Sequence, residues 1–164
     1  FSGRRLDREA LRLPPEVVVK TTHDLREASE AELFGDLFVQ PVVSLEVNDR
    51  YLKDKESIVN RLGAYLRLAG DTLEEVKARA YPASRIHGAY LQEQTRAIEQ
   101  LEREFPNVDI DFKRTEYAEH DRFIILERAD GSQARILIGQ GLDFIKPDGS
   151  VRRTYIVIEN PYEG

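Results

Sequence analysis

Between residues 41 and 114 the hydrophobic period of the chain switches repeatedly, and that alternation restricts the fold more than any other feature. "PVVSLEV" (41–47) reads as a strand. "KESIVNRLGAYLRLAG" (55–70) places Ile58, Val59, Leu62, Leu66 and Ala69 on one helical face and stops at Gly70. "LEEVKARAYP" (73–82) alternates Val76, Ala78 and Ala80, a strand ended by Pro82. "GAYLQEQTRAIEQLEREF" (88–105) is a second helix, with Leu91, Ile98, Leu101 and Phe105 inward, broken by Pro106. "VDIDFKR" (108–114) alternates strictly, as a half-buried strand does. Strands interleaved with helices are joined by crossovers, which are right-handed. The order predicts an α/β fold with a mixed β-sheet and helices packed on its faces.

The second half has no helical period. "RFIILERA" (122–129) and "QARILIGQ" (133–140) flank Asp130-Gly131, a hairpin signal, and "VRRTYIVIEN" (151–160) is a last strand. This half is expected to be antiparallel. Before the first crossover, "EVVVK" (16–20) suits a short strand, and 22–38 reads as a helix over Leu25, Ala28, Leu33 and Leu37, capped by Asp24. Residues 1–20 as a whole, charged and carrying Pro14-Pro15, are expected to be a linker or docked arm, and 21–164 one domain.

Composition narrows the class. The 164 residues suit a single core. The absence of cysteine rules out thiol catalysis, disulfides and cysteine-rich zinc sites. No run approaches the ~20 apolar residues of a membrane span. The chain opens on Phe1 and has no methionine, so it is read as a piece of a longer protein, cytoplasmic or peripheral at a membrane. The formal net charge is −6, so an anion-binding surface requires local clustering of cations. Between 113 and 153 eight basic residues stand against seven acidic ones, close to balance. His23 and His87 show no metal-ligand spacing, and no metal or cofactor is expected.

The candidate chemistry lies at the mouth of the hairpin, in His120-x-Arg122-x-x-x-x-Glu127. Two residues apart on a strand, an imidazole and a guanidinium share a face. The cation can hold a phosphate that the imidazole attacks, while a carboxylate orients a histidine. Alternatively, His120 is an ordinary surface histidine. The second candidate is "GQGLDFIKPDGS" (139–150), where Gly139 and Gly141 let backbone approach a ligand and Lys146 adds a charge. The alternative there is a tightly packed strand end.

The first motif resembles the His-x-Lys-x-x-x-x-Asp signature of phospholipase D, with Arg122 in place of lysine and Glu127 in place of aspartate. A closer likeness extends over about 34–160. Its loop Asn48-Asp49-Arg50-Tyr51, its His120-Asp121-Arg122 and its run from Ile138 to Lys146 are similar to the "DPY", "HDR" and "IGRGLDYFK" pieces of the phospholipase D-like domain at the C-terminus of MIT-domain proteins. Gln140 stands where that family has arginine. The resemblance implies a phospholipase D-like sandwich, a dimer, and binding of acidic phospholipid. No three-helix MIT segment is present, so that domain's partners are not carried over. Gly139 to Asp143 occupy the place of the Gly-Ser-x-Asn turn of active enzymes and lack its serine and asparagine.

Three functions are open on these residues. The favoured one is a binding or assembly module without catalysis. It would recognise an anionic phosphate group, of phospholipid or nucleic-acid backbone, or dock other domains of a larger chain, through His120, Arg122, Gly139, Gly141 and Lys146. The second is a metal-independent phosphodiesterase or nuclease using His120, Arg122 and Glu127. One motif is half of a two-histidine site, so it would need a homodimer. The third is a purely structural protein-interaction domain.

Overall fold

A computed structural model describes residues 16–81, 90–115 and 122–161. Seven strands form one mixed sheet in the order β1-β7-β6-β5-β2-β3-β4. They are β1 (Glu16–Thr21), β2 (Val42–Asn48), β3 (Glu75–Ala80), β4 (Asp109–Arg114), β5 (Phe123–Arg128), β6 (Gln133–Ile138) and β7 (Tyr155–Asn160). β2, β3 and β4 are parallel neighbours, as strands separated by helices must be. The pairs β2–β5, β5–β6, β6–β7 and β7–β1 are antiparallel. The α/β class and mixed sheet expected from the alternation are therefore observed.

Register aligns the apolar sets of all the inner strands. Leu45 lies between Val76 and Leu126, and Leu126 faces Ala134. Val47 lies between Ala78 and Ile124, whose row continues through Ile136 and Ile158. All of these are buried in one core cluster. The helices supply its other half. They are α1 (Glu30–Phe34), α2 (Gly63–Ala69), which continues a π-helical stretch (Glu56–Leu62), and α3 (Tyr90–Glu104). Ile58, Leu62, Tyr65, Leu66, Ala97 and Leu101 join the same cluster. On the opposite face of β2–β4, Lys77, Arg79, Asp109, Asp111 and Lys113 are exposed.

Two expectations from sequence differ from what is seen. The helix read over 22–38 is confined to α1 and a 3-10 turn (Gly35–Phe38). Its cap is Ser29, whose hydroxyl accepts from the Glu32 N–H at 3.2 Å, and not Asp24. Residues 22–29 are drawn instead to the sheet end: Thr22 N–H donates to Thr154 O, and Glu27 bridges to Ser150. Long-range backbone pairing outweighs weak helical propensity here. The 55–70 helix opens with wide turns. Asp54 begins it, with Oδ1 accepting from the Ser57 N–H at 2.9 Å. The short strand expected at 16–20 is β1, which extends to Thr21.

A charged group is carried into the helical layer. Glu30, 5% exposed, meets Arg61 at 3.2 Å, and Arg61 also contacts Glu56 at 3.3 Å. Burial holds the Glu30 carboxyl above its ordinary pKa, the Arg61 charge pulling the other way. Removing one partner of such a pair strands the other in a poorly solvated place. Arg61→Ala is expected to cost roughly 3 kcal/mol in urea unfolding, and adding Glu30→Gln to recover much of it.

Candidate functional site

β2 is the point where the sheet changes direction. Its successors β3 and β4 are laid down on one side, whereas β5, β6 and β7 lie on the other. In open α/β sheets the crevice beyond the carboxyl end of such a strand is the usual ligand site. Four connections meet there: the loop after β2, the approach to β5, the loop after β6, and the approach to β7, because Asn48 pairs Phe123, Phe123 pairs Leu137 and Ile138 pairs Ile156.

Asp49 organises this end. It is 3% exposed, and its two carboxylate oxygens serve two different loops. Oδ1 accepts from the Tyr51 N–H at 3.0 Å, turning the chain after β2. Oδ2 accepts from the Leu142 N–H at 2.9 Å, across 93 residues of sequence. Burial raises its pKa, opposed by those two N–H donors and, more weakly, by Arg122. The loop that receives it is anchored from below by Leu142, Phe144 and Ile145, all buried. Phe144 lies 6.4 Å, ring to ring, from Phe34, which lies 5.9 Å from Tyr65.

The two glycines of that loop make room for protein groups. Gly141 has φ +84, and a Cβ there would come within 2.7 Å of Arg122 Cδ and 2.8 Å of Asp49 Oδ2. A Cβ on Gly139 would come within 2.9 Å of Thr154 Oγ1, the atom that accepts from the Gln140 N–H. Gly139 also supplies the carbonyl that accepts from Arg122 Nη1 at 2.8 Å. The guanidinium of Arg122 is further placed by the Tyr51 ring, 5.2 Å from its centroid. Its Nε is buried with no hydrogen-bond partner among the described residues.

Beside Arg122 opens a cleft of about 450 Å³. Lys53, Arg122, Lys146 and Arg152 line it, together with Tyr51, Gln140 and the carboxylates of Asp54, Glu56 and Asp143. Glu56 is paired with Arg61, and Asp54 is engaged by Ser57. The cleft is thus richer in cations than the acidic chain as a whole.

Of the residues expected from sequence, Arg122 and Lys146 line the cleft, and Gly139 and Gly141 shape its wall. His120 lies outside the described residues, as does His87. Glu127 is not brought to the cleft. It sits near the far end of β5, five residues and roughly 16 Å along the strand from Arg122. Its side chain alternates onto the face opposite the buried Ile124, Leu126 and Arg128. Sequence reasoning did not assign Asp49 its bridging role or single out Lys53, and it counted Arg152 only among the eight basic residues of 113–153 that could form a patch. The "DPY"-like loop was the one signal for Asp49. Among the described residues no cluster of His, Asp or Glu is arranged to hold a metal ion, and no helix is long and apolar enough to cross a membrane.

The fold is similar to that of two solved structures. Polyphosphate kinase from Porphyromonas gingivalis aligns over 92% of this chain with a TM-score of 0.55 and 10% identity. A mutant of yeast tyrosyl-DNA phosphodiesterase 1 aligns over 87% with a TM-score of 0.50 and 14% identity. The chain spans about a quarter (26%) of the first and about a third (32%) of the second. At such identities the likeness establishes the phospholipase D-like fold. No family model and no curated protein sequence matches the chain.

Gly141→Ala is expected to cost about 1–3 kcal/mol in chemical denaturation, because strained backbone and two close contacts coincide there. Asp49 has a further signature in pH. Its folded pKa is raised, so its protonated form favours the folded state; that contribution is complete below the ordinary aspartate value and is lost as pH rises through the raised value. Asp49→Asn lacks this dependence. The stability difference between variant and wild type should therefore shift toward the variant across mildly acidic pH and stay constant above it, as read from urea midpoints at successive pH values.

Proposed function

We propose that this chain is a phosphate-binding module of phospholipase D-like fold that works by recognition, without catalysis. The observation that carries the reading is the convergence of Arg122, Lys146, Arg152 and Lys53 on one open cleft at the sheet's switch point, with the Arg122 guanidinium fixed at its wall by the Gly139 carbonyl. A planar guanidinium held by a carbonyl and an aromatic ring is already oriented for a phosphate oxygen, which reduces the ordering cost of binding.

Two features support recognition over turnover. The loop from Gly139 to Asp143 has neither the serine nor the asparagine of an active turn. A two-histidine mechanism requires a second motif, and the chain carries one. The ligand chemistry common to a phospholipid headgroup and a nucleic-acid backbone is the phosphodiester, and the cleft addresses that group.

The test titrates the protein with anionic phosphatidylglycerol vesicles and with a single-stranded oligonucleotide, at low and at physiological salt. Binding to at least one is expected, weakening as salt rises. Arg122→Gln should weaken it roughly tenfold, the loss of one charge-assisted hydrogen bond, and Lys146→Gln by less. Preference for vesicle or oligonucleotide identifies the source of the phosphate. Binding that is indifferent to both salt and Arg122→Gln, or no binding to either probe, overturns the site. EDTA-resistant hydrolysis of an activated phosphodiester that disappears in His120→Ala would replace recognition by catalysis.

A further inference from the structure

The two edges of the sheet are finished differently. The β4 edge presents Asp109, Asp111, Lys113 and Arg114, all exposed, and charge of this kind discourages pairing with another strand. The β1 edge, "EVVVKT", has a run of three valines at its centre. Val17, Val18 and Val19 are 55%, 41% and 63% exposed. β1 pairs with β7 on one side only, so its other row of backbone N–H and C=O groups is unmatched within the described sheet.

The order of residues in this strand is self-complementary. When two copies of β1 run antiparallel with Val18 opposite Val18, Glu16 of each faces Lys20 of the other, and Val17 faces Val19. Neither Glu16 nor Lys20 has an ion pair among the described residues, and both are exposed. A register one residue away loses both matches: shifted by one, Glu16 would face Val19 or Thr21. Glu16, Val18 and Lys20 line one wall of a shallow groove of about 110 Å³, closed on the other side by Leu33, Asp36 and Leu37. That groove gives the charged pairs a partly sheltered setting.

We propose that β1 is the interface of a homodimer, formed by edge-to-edge antiparallel pairing of two copies into one continuous sheet. The surface is isologous, the same patch serving both partners, as a two-fold axis through Val18 requires. That axis is perpendicular to the sheet, so it turns one sheet end for end relative to the other. The clefts then open at opposite ends of the joined sheet, and Arg122 of one copy cannot meet Arg122 of the other. Such a dimer presents two separate anion sites and does not assemble the facing motifs that a two-histidine mechanism requires. The proposal stands on β1 alone and is independent of what the cleft binds.

Sedimentation equilibrium of the whole chain tests it. Wild type is expected to associate as a dimer at sub-millimolar concentration. Glu16→Lys sets lysine against Lys20 twice in each dimer and should weaken association roughly tenfold or more. Adding Lys20→Glu restores the opposed charges in reversed order and should restore the dimer, a rescue that loss of folding cannot imitate. Val17→Lys with Val19→Lys should give a folded monomer, with circular dichroism unchanged. Hydrogen exchange of the β1 amides should slow as protein concentration rises. A monomeric wild type, a dimer unaffected by Glu16→Lys and by the valine pair, or β1 protection independent of concentration each overturn the proposal, the last by showing that the chain's own residues cover the edge.

Discussion

The buried carboxylate of Asp49 is the interaction on which the functional end of this molecule depends. It joins a loop that follows β2 to one that follows β6, and these are remote in sequence. A carboxylate 3% exposed is costly unless its oxygens are satisfied, and two backbone N–H groups satisfy them here. The arrangement leaves no volume for a side chain at residue 141, since the position is already filled by Asp49 and Arg122. Glycine at 141, the carboxylate at 49 and the guanidinium at 122 are one packing unit. Within it, Arg122 lines the cleft with its guanidinium bonded to Gly139 O and set against the Tyr51 ring.

An acidic protein can still build a cation-rich site by occupying its nearby carboxylates elsewhere. Asp54 starts the second helical segment and Glu56 pairs with Arg61. Arg61 in turn partners the buried Glu30, so one arginine compensates two carboxylates at the border between cleft and core. The segregation of charge in the cleft is therefore tied to the same helices that cover the sheet. The charge of the cleft and the stability of the fold share residues at this border, so the proposed anion recognition is expected to depend on the intact domain and not on an isolated loop.

Much of the fold was legible because its periods are clean. The alternation through Val76, Ala78 and Ala80 and the helical faces through Leu62 and Leu101 identified β3, α2 and α3, and Asp130-Gly131 marked the β5–β6 hairpin. The helix over 22–38 was overread, because its apolar spacing is loose and the competing bonds to Thr154 and Ser150 are made to residues more than a hundred positions away. At the site, Arg122 and Lys146 were visible from a motif and from charge. The placement of Glu127 was not, since a spacing of five residues gives separation along an extended strand as easily as proximity after a bend.

By itself, the sequence determined the α/β class, the crossover order of the first half and the antiparallel second half, because burial imposes a period of about two or about 3.6 locally. It also contained the motif with Arg122 and the glycine-bearing loop. Only the tertiary structure decided that β2 is the switch point, that Asp49 reaches Leu142, and that Lys53 and Arg152 join Arg122 and Lys146 around one cleft. Asp49 and Leu142 are 93 residues apart, Lys53 and Arg152 99 (152 − 53), and no local period encodes such contacts. They follow from strand register, in which the choice of neighbour for each strand is settled by how the whole apolar face packs.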